Sequence, residues 1–169
     1  MTHTDTLPTF RAATSSDESA IQQLLADAGL PAAGVAELLK ADASQFVVAV
    51  ERDGAQRVVA VAGLEVCCDN ALLRSVAVHR EWQRVGLGVE LVRRVVCEAE
   101  SRGIHALYLL TMTAEHYFPR FGFEVIGRES VPAEIAATLE FTSACPSSAI
   151  AMTKALDRPS RILNPARLA

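Results

Sequence analysis

The sequence predicts one α/β domain of the α+β type, a mixed and mostly antiparallel sheet of roughly six to seven strands flanked by about four helices. Three observations lead there. Short apolar runs of strand length recur along the chain, and between them lie segments whose apolar residues stand three or four apart. The strand-like stretches Leu72 to Val78 and Ala106 to Leu110 also flank a long amphipathic segment, as a parallel crossover requires. The 169 residues suit one domain, and with 50% of them apolar a sizeable core is available.

The elements follow in order. Residues 1–9 are polar and aperiodic and are expected to be flexible; 10–155 form the folded domain; 156–169, polar and carrying Pro159 and Pro165, are expected to be a flexible tail. Phe10 to Ala13 reads as a first strand. Ser15 with Glu18 forms a capping box before Ile21, Leu24, Leu25 and Ala28, an amphipathic helix ending at Gly29. A second helix is expected over Ala32 to Lys40. Phe46 to Val50, the turn Asp53-Gly54 and Val58 to Ala62 make a hairpin. If Asp69-Asn70 is the next two-residue turn, Glu65 lies directly opposite Arg74 in strand Leu72 to Val78.

Gly88 to Arg102 carries Leu91, Val92, Val95, Val96 and Ala99 on one face and ends before Gly103. Strand Ala106 to Leu110, a short helix Thr113 to Arg120 capped by Thr113, strand Phe123 to Ile126, helix Ile135 to Phe141 and strand Ala149 to Lys154 complete the domain. The sheet is expected to splay between strands 72–78 and 106–110, and a ligand would favour that junction.

Net charge is −4, which counts against nucleic acid as the principal partner. The acidity is uneven: residues 1–73 carry 4 basic and 10 acidic side chains, whereas 74–103 carry 6 and 4. No stretch is long and apolar enough to span a membrane and the start lacks the pattern of a secretory signal, so a cytoplasmic protein is expected. Cys67, Cys68, Cys97 and Cys145 fit neither a zinc spacing nor a disulfide scaffold, and no metal site is assigned.

The most informative stretch is the strand Arg74-Ser75-Val76-Ala77-Val78, a loop ending Gln83-Arg84-Val85-Gly86-Leu87-Gly88, and the amphipathic segment that follows at once. Glycines there admit close backbone approach, and free N–H groups at a helix start bind phosphate. No Walker lysine and no third glycine at dinucleotide-binding spacing are present. The pattern resembles the acetyl-CoA pyrophosphate loop of the GNAT superfamily of N-acetyltransferases. That resemblance extends to a second motif, Ala114-Glu115-His116-Tyr117-Phe118-Pro119-Arg120-Phe121-Gly122-Phe123, and covers most of residues 10–155.

Within the superfamily, Glu65, the run Leu72 to Val78, Leu109 to Glu115, Val131-Pro132 and Cys145-Pro146-Ser147-Ser148-Ala149 look like the arsenic-resistance N-acetyltransferase branch, similar to enzymes acting on arsinothricin and phosphinothricin. The resemblance implies the GNAT fold, acetyl-CoA as cofactor, a small-molecule amine as acceptor, and no nucleic-acid or membrane partner. Pairing of two copies through the C-terminal strands is permitted by the apolar run at Ala149 to Met152. The implied cofactor residues are Val76, Ala77 and Val78 along the pantetheine arm, Gln83, Arg84, Val85, Gly86, Leu87 and Gly88 around the pyrophosphate, and Thr111 and Phe118 from the second motif.

An acceptor amine is protonated at neutral pH and needs a base. Glu65, an acid in an otherwise apolar strand, is the candidate; alternatively it serves as the structural ion-pair partner of Arg74. Arg74 is the candidate to bind an acidic group of the acceptor. Phe118 stands where superfamily members commonly carry a tyrosine acid, and Tyr117 is expected to point elsewhere and pack; His116, Tyr108 and water are the alternative proton sources for the thiolate. Two other functions stay open: a non-catalytic acyl-CoA sensor on this fold, and a GNAT enzyme acting on a protein N-terminus or an aminoglycoside.

Overall fold

A computed structural model describes residues 6–157. Seven strands form one sheet, ordered β1-β2-β3-β4-β5-β7-β6. The strands are β1 (Thr9–Ala12), β2 (Phe46–Val50), β3 (Val58–Cys67), β4 (Asn70–Val78), β5 (Ala106–Thr111), β6 (Glu124–Ile126) and β7 (Ile150–Ala155). All neighbours are antiparallel except β4 and β5. Helices α1 (Glu18–Asp27), α2 (Val35–Asp42), α3 (Leu87–Ser101) and α4 (Ala133–Ala136) flank it.

Alternation along β2 explains the layers. Phe46, Val48 and Val50 join Ile21, Leu24 and Leu25 of α1 and Val35 and Leu39 of α2 on one face. Ala49 points the other way, into the cluster that Leu91, Val92 and Val95 of α3 form with Leu73, Leu107 and Met152. Ile135 of α4 packs with Leu72 and Ala151 at the far end. Of the stretches expected to be flexible, 1–5 and 158–169 lie outside the described residues; Thr9 is already in β1, and buried Leu156 donates its N–H to the His105 carbonyl at 2.9 Å.

Several expectations are corrected. The cap of the first helical segment is Thr14 with Asp17, one residue before the expected Ser15 with Glu18. Asp17 is buried, accepts the Thr14 N–H at 2.8 Å and binds Arg11 at 2.7 Å, so a partner from β1 selects it over Glu18. The β3–β4 turn is Cys68-Asp69, with Cys68 at φ 57°, so Glu65 pairs with Leu72 and Gly63 with Arg74. The register therefore differs by two residues, which preserves which face each side chain uses.

Two expected helices fare differently. Thr113 to Arg120 is a turn followed by one 3-10 turn over Phe118–Phe121, because Pro119 and Gly122 leave no room for an α-helix. Ile135 to Phe141 divides into α4 and a π-helical turn, Glu140–Ala144.

Asp17 gives a testable stability. The guanidinium of Arg11, aided by Thr14, holds its carboxyl below the ordinary range, so its contribution is present above the unfolded-state pKa and is lost as pH falls through the folded one. Asp17→Ala is expected to cost about 1–2 kcal/mol at pH 7. Urea unfolding should show the difference from wild type shrinking in acid.

Candidate active site

Parallel pairing between β4 and β5 covers only Asn70, Ala71 and Leu72 opposite Ala106, Leu107 and Tyr108. Beyond them the strands part, and a cleft of about 1140 Å³ opens between Leu73 to Val78 and Leu109 to Ala114. This is larger than most small-molecule pockets, which hold about 300–1,000 Å³.

A bulge shapes one wall. Gly63 faces Arg74 and Val61 faces Ala77, so Ser75 and Val76 together oppose Ala62, with Ser75 at φ 56°. Past the bulge, His79 donates its N–H to the Val59 carbonyl at 2.7 Å. Backbone groups alternate along a strand, so Ala77 and His79 bond to β3 while Val76 and Val78 direct theirs into the cleft. Consistently, the Val78 carbonyl accepts from the Gln83 amide at 3.0 Å on that side.

The cleft runs to the start of α3. Arg84 at φ 69° and Gly86 at φ 82° turn the chain into the helix, whose first N–H groups have no intrahelical partner. A Cβ at Gly88 would stand 3.1 Å from the Tyr117 hydroxyl and 3.5 Å from Val78, so any side chain here narrows this cradle. Backbone N–H groups and a helix N-terminus suit a phosphate here. The loop is anchored from behind: Trp82 donates to Glu51 at 2.9 Å, and Arg57 bridges Glu51 at 2.7 Å and Glu81 at 2.9 Å.

Val76, Ala77, Val78, Gln83, Arg84, Gly86 and Gly88 all line the cleft, although the Ala77 side chain packs towards α1 and α2. Val85 points to solvent and Leu87 packs in the core, so neither lines it. Thr111, and not Thr113, caps the turn after β5: its hydroxyl oxygen accepts the Ala114 N–H at 2.9 Å. Phe118 is buried, edge-on to Phe123 at 5.7 Å between ring centres. Tyr117 faces the cleft, contrary to the expectation that it points elsewhere, because the segment before Phe118 is not helical. Burial raises its phenol above the ordinary value, so it stays protonated at neutral pH and can donate. His116 is exposed beside Glu115.

Arg74 is the centre of the other end of the cleft, its side chain only 1% exposed. Nη1 reaches Glu65 at 3.1 Å, Nη2 reaches the Ala33 carbonyl at 2.6 Å, and Nε contacts Ser75 Oγ at 3.2 Å and Glu140 at 3.6 Å. Gly63 makes room for the stem: a Cβ there would stand 2.7 Å from the Phe46 ring and 3.3 Å from Arg74 Cγ. Arg74 is thus engaged by protein groups, two carboxylates among them, and its pair with Glu65 is the ion pair the sequence offered as one reading of Glu65. Glu65, 18% exposed, is brought to Arg74 but is not among the cleft-lining residues.

Glu140 does line the cleft and was missed. Its flanks, Leu139 and Phe141, gave the same signal that singled out Glu65, an acid between large apolar residues. The loop Ala28-Gly29-Leu30-Pro31, read only as a helix end, forms a further stretch of wall.

Residues 42–125 match the family model described as an acetyltransferase (GNAT) domain. Over this stretch the chain is similar to acetyltransferase domains of the GNAT family. It is 32% identical over 129 residues to the amino-acid acetyltransferase of Azotobacter vinelandii, covering 73% of this chain and 29% of that protein. It therefore spans less than a third of the length of that curated relative. Among solved structures it is similar to a Mycobacterium tuberculosis protein crystallised with CoA, with TM-score 0.74, 24% identity, 89% of this chain and 100% of that chain covered. It is also similar to N-acetylglutamate synthase from Neisseria gonorrhoeae complexed with coenzyme A and N-acetyl-glutamate, with TM-score 0.75, 20% identity, 91% of this chain and 36% of that chain covered. At these identities the structural likenesses establish the GNAT fold. The arsenic-resistance branch has no counterpart among these relatives.

No group of three or more His, Cys, Asp or Glu able to hold a metal occurs among the described residues, and no described helix is long and apolar enough to cross a membrane. Cys67 closes β3 half-buried, its thiol pushed up to about 11 chiefly by burial, whereas Cys68 and Cys97 are exposed. A thiol reagent at pH 8, followed by peptide mass spectrometry, should label Cys68 and Cys97 well before Cys67.

Proposed function

We propose that the chain transfers the acetyl group of acetyl-CoA to the amine of a small amino-acid-like molecule, directly, with both substrates bound in the cleft. The carrying observation is one continuous cleft in which the inward backbone groups of Val76 and Val78 lead to the free N–H groups of α3 beside Gly88. A thioester with a pantetheine arm and a pyrophosphate matches that sequence of donors and acceptors. The loop Gln83 to Gly88 would hold the pyrophosphate, Val76 and Val78 the arm, and the protonated Tyr117 phenol would donate near the helix start. Phe118 would shape the wall through the ring cluster beneath it, and Thr111 through the turn it caps.

The bound thioester supplies an acyl group activated for attack; the chain supplies position. At the other end Arg74 ties β4 to β3, to the α1–α2 connection and to the Glu140 turn, and Glu65 serves chiefly as its partner. An amino-acid acceptor is supported by the curated relative's name and by the N-acetyl-glutamate bound to the gonococcal neighbour. A narrower acceptor, a glutamate analogue of the arsinothricin or phosphinothricin type acetylated for resistance, is supported by the branch-like stretches around Glu65, Arg74 and Cys145. Such a reaction belongs in the cytoplasm, where acetyl-CoA is made. The apolar run Ala149 to Met152, expected to permit pairing, is largely buried, with β7 lying between β5 and β6, so two copies would pair through outer strand β6, where Val125 is exposed.

Thiol release from acetyl-CoA, measured with a panel of amino acids and phosphinothricin, is expected for at least one acceptor. Tight acetyl-CoA binding with no release across the panel would instead favour an acyl-CoA sensor. Gly88→Val should raise the Kd for acetyl-CoA by about tenfold or more, roughly 1.4 kcal/mol, by filling the cradle beside Tyr117. Unchanged affinity by calorimetry would remove the loop from the cofactor site.

A further inference from the structure

We propose that Glu140, and not Glu65, is the base that takes a proton from the acceptor ammonium, with Arg74 as the positioning residue that holds it. This rests on the acetyltransferase reading and assigns a residue within it.

The geometry separates the two acids. Both touch Arg74, but Glu65 bonds Nη1 and sits off the cleft, whereas Glu140 lies on the cleft wall along with Arg74, Ser75 and Val76. Glu140 is 5% exposed, and its ion-pair partner among the described residues, Arg74 Nε at 3.6 Å, is beyond hydrogen-bond length. Arg74 Nε is closer to Ser75 Oγ, at 3.2 Å, so the guanidinium holds Glu140 in place without saturating it. A buried carboxylate with one loose partner costs stability, and a structural role would favour a tighter pair. The carboxylate has lone pairs to spare and an opening from which a ligand's N–H can reach them.

The backbone supports this placement. Glu140 starts a π-helical turn, Glu140–Ala144, a feature that recurs at functional sites. Arg128 pins the turn by donating to the Phe141 carbonyl at 3.2 Å and to the Pro146 and Ala149 carbonyls at 3.3 Å. The charged and titratable groups around Glu140 are Arg74 on β4, Glu65 on β3, and Cys145 just after the turn, with Arg128 behind it. Glu140 presents a carboxylate to the cleft, which draws in a cationic ammonium, while Arg74 and Arg128 offset the charge of the two acids. Burial, with Glu65 adding to it and Arg74 opposing it, raises the Glu140 carboxyl above the ordinary range, the direction a base working near neutral pH needs.

The step balances. Glu140 takes one N–H proton from the ammonium, freeing the nitrogen lone pair, which forms a C–N bond to the acyl carbon as the C–S bond breaks. The C–S electron pair leaves on sulfur, the second N–H proton reaches it through water, and Glu140 returns its proton to solvent. The products are the N-acetyl amine and a free CoA thiol, with one proton released.

The test compares Glu140→Gln, Glu65→Gln and wild type, each first shown to bind acetyl-CoA. Glu140→Gln should lose about 100-fold or more in kcat with little change in acetyl-CoA affinity, and should lose the acidic limb of the kcat/KM profile. Glu65→Gln should lose less and keep that limb. The wild-type limb should lie above the ordinary carboxylate range, a measurement that needs no variant. Apart from activity, Glu140→Gln should be the more heat-stable protein at pH 8, with its Tm advantage fading in acid, where Glu140 is protonated. Turnover within about threefold of wild type for Glu140→Gln, or loss of the limb in Glu65→Gln instead, overturns the assignment. No thiol release by wild type with any acceptor sinks the acetyltransferase reading and this assignment together.

Discussion

The parting of β4 from β5 after three parallel pairs is the constraint on which the rest of the site depends. Two parallel strands that stayed paired would satisfy each other's backbone groups and leave no cleft. Here α3 crosses over between them, and its apolar face packs on the sheet through Leu91, Val92 and Val95. β5 instead completes its ladder with β7 over its full length, from Ala106 with Ala155 to Thr111 with Ile150. The freed edge of β4 keeps hydrogen-bonding groups that a ligand can satisfy, and the bulge at Ser75 and Val76 sets which of them face it.

Arg74 links this opening to the rest of the fold. A buried guanidinium is expensive unless its donors are met, and here β3, the α1–α2 connection and the turn before β7 each contribute a partner. That one residue gathers four parts of the chain at the deep end of the cleft. The room it occupies exists because position 63 has no side chain and Phe46 fills the neighbouring volume. The far end is organised differently, by the Glu51–Arg57–Glu81–Trp82 network behind the loop, so the two ends are held by separate polar clusters.

Much of this was legible in the amino-acid order. The strand, loop and helix around Gln83 to Gly88 are encoded locally, because a glycine pair and an amphipathic period act over a few residues. The face shared by Glu65 and Arg74 also came through, since a two-residue error in register leaves alternation intact. The segment Thr113 to Arg120 did not: its composition tolerates a helix, but Pro119 and Gly122 close it into a tight turn, and that turns Tyr117 into the cleft. The capping residue at the first helix was misread by one because Asp17 is chosen by Arg11, a partner on another element.

By itself the sequence carried the GNAT resemblance, and it determined the order of elements, the splayed sheet and the glycine loop that opens α3. These rest on periodicity and on backbone chemistry within short windows. Only the tertiary structure decided which carboxylate faces the cleft and what Arg74 holds. Glu65 and Glu140 look alike along the chain, each an acid among apolar neighbours, but they meet different nitrogens of one buried guanidinium. The difference is made by packing between residues far apart in sequence: a π-helical turn near the end of the domain is laid against a bulged strand near its middle.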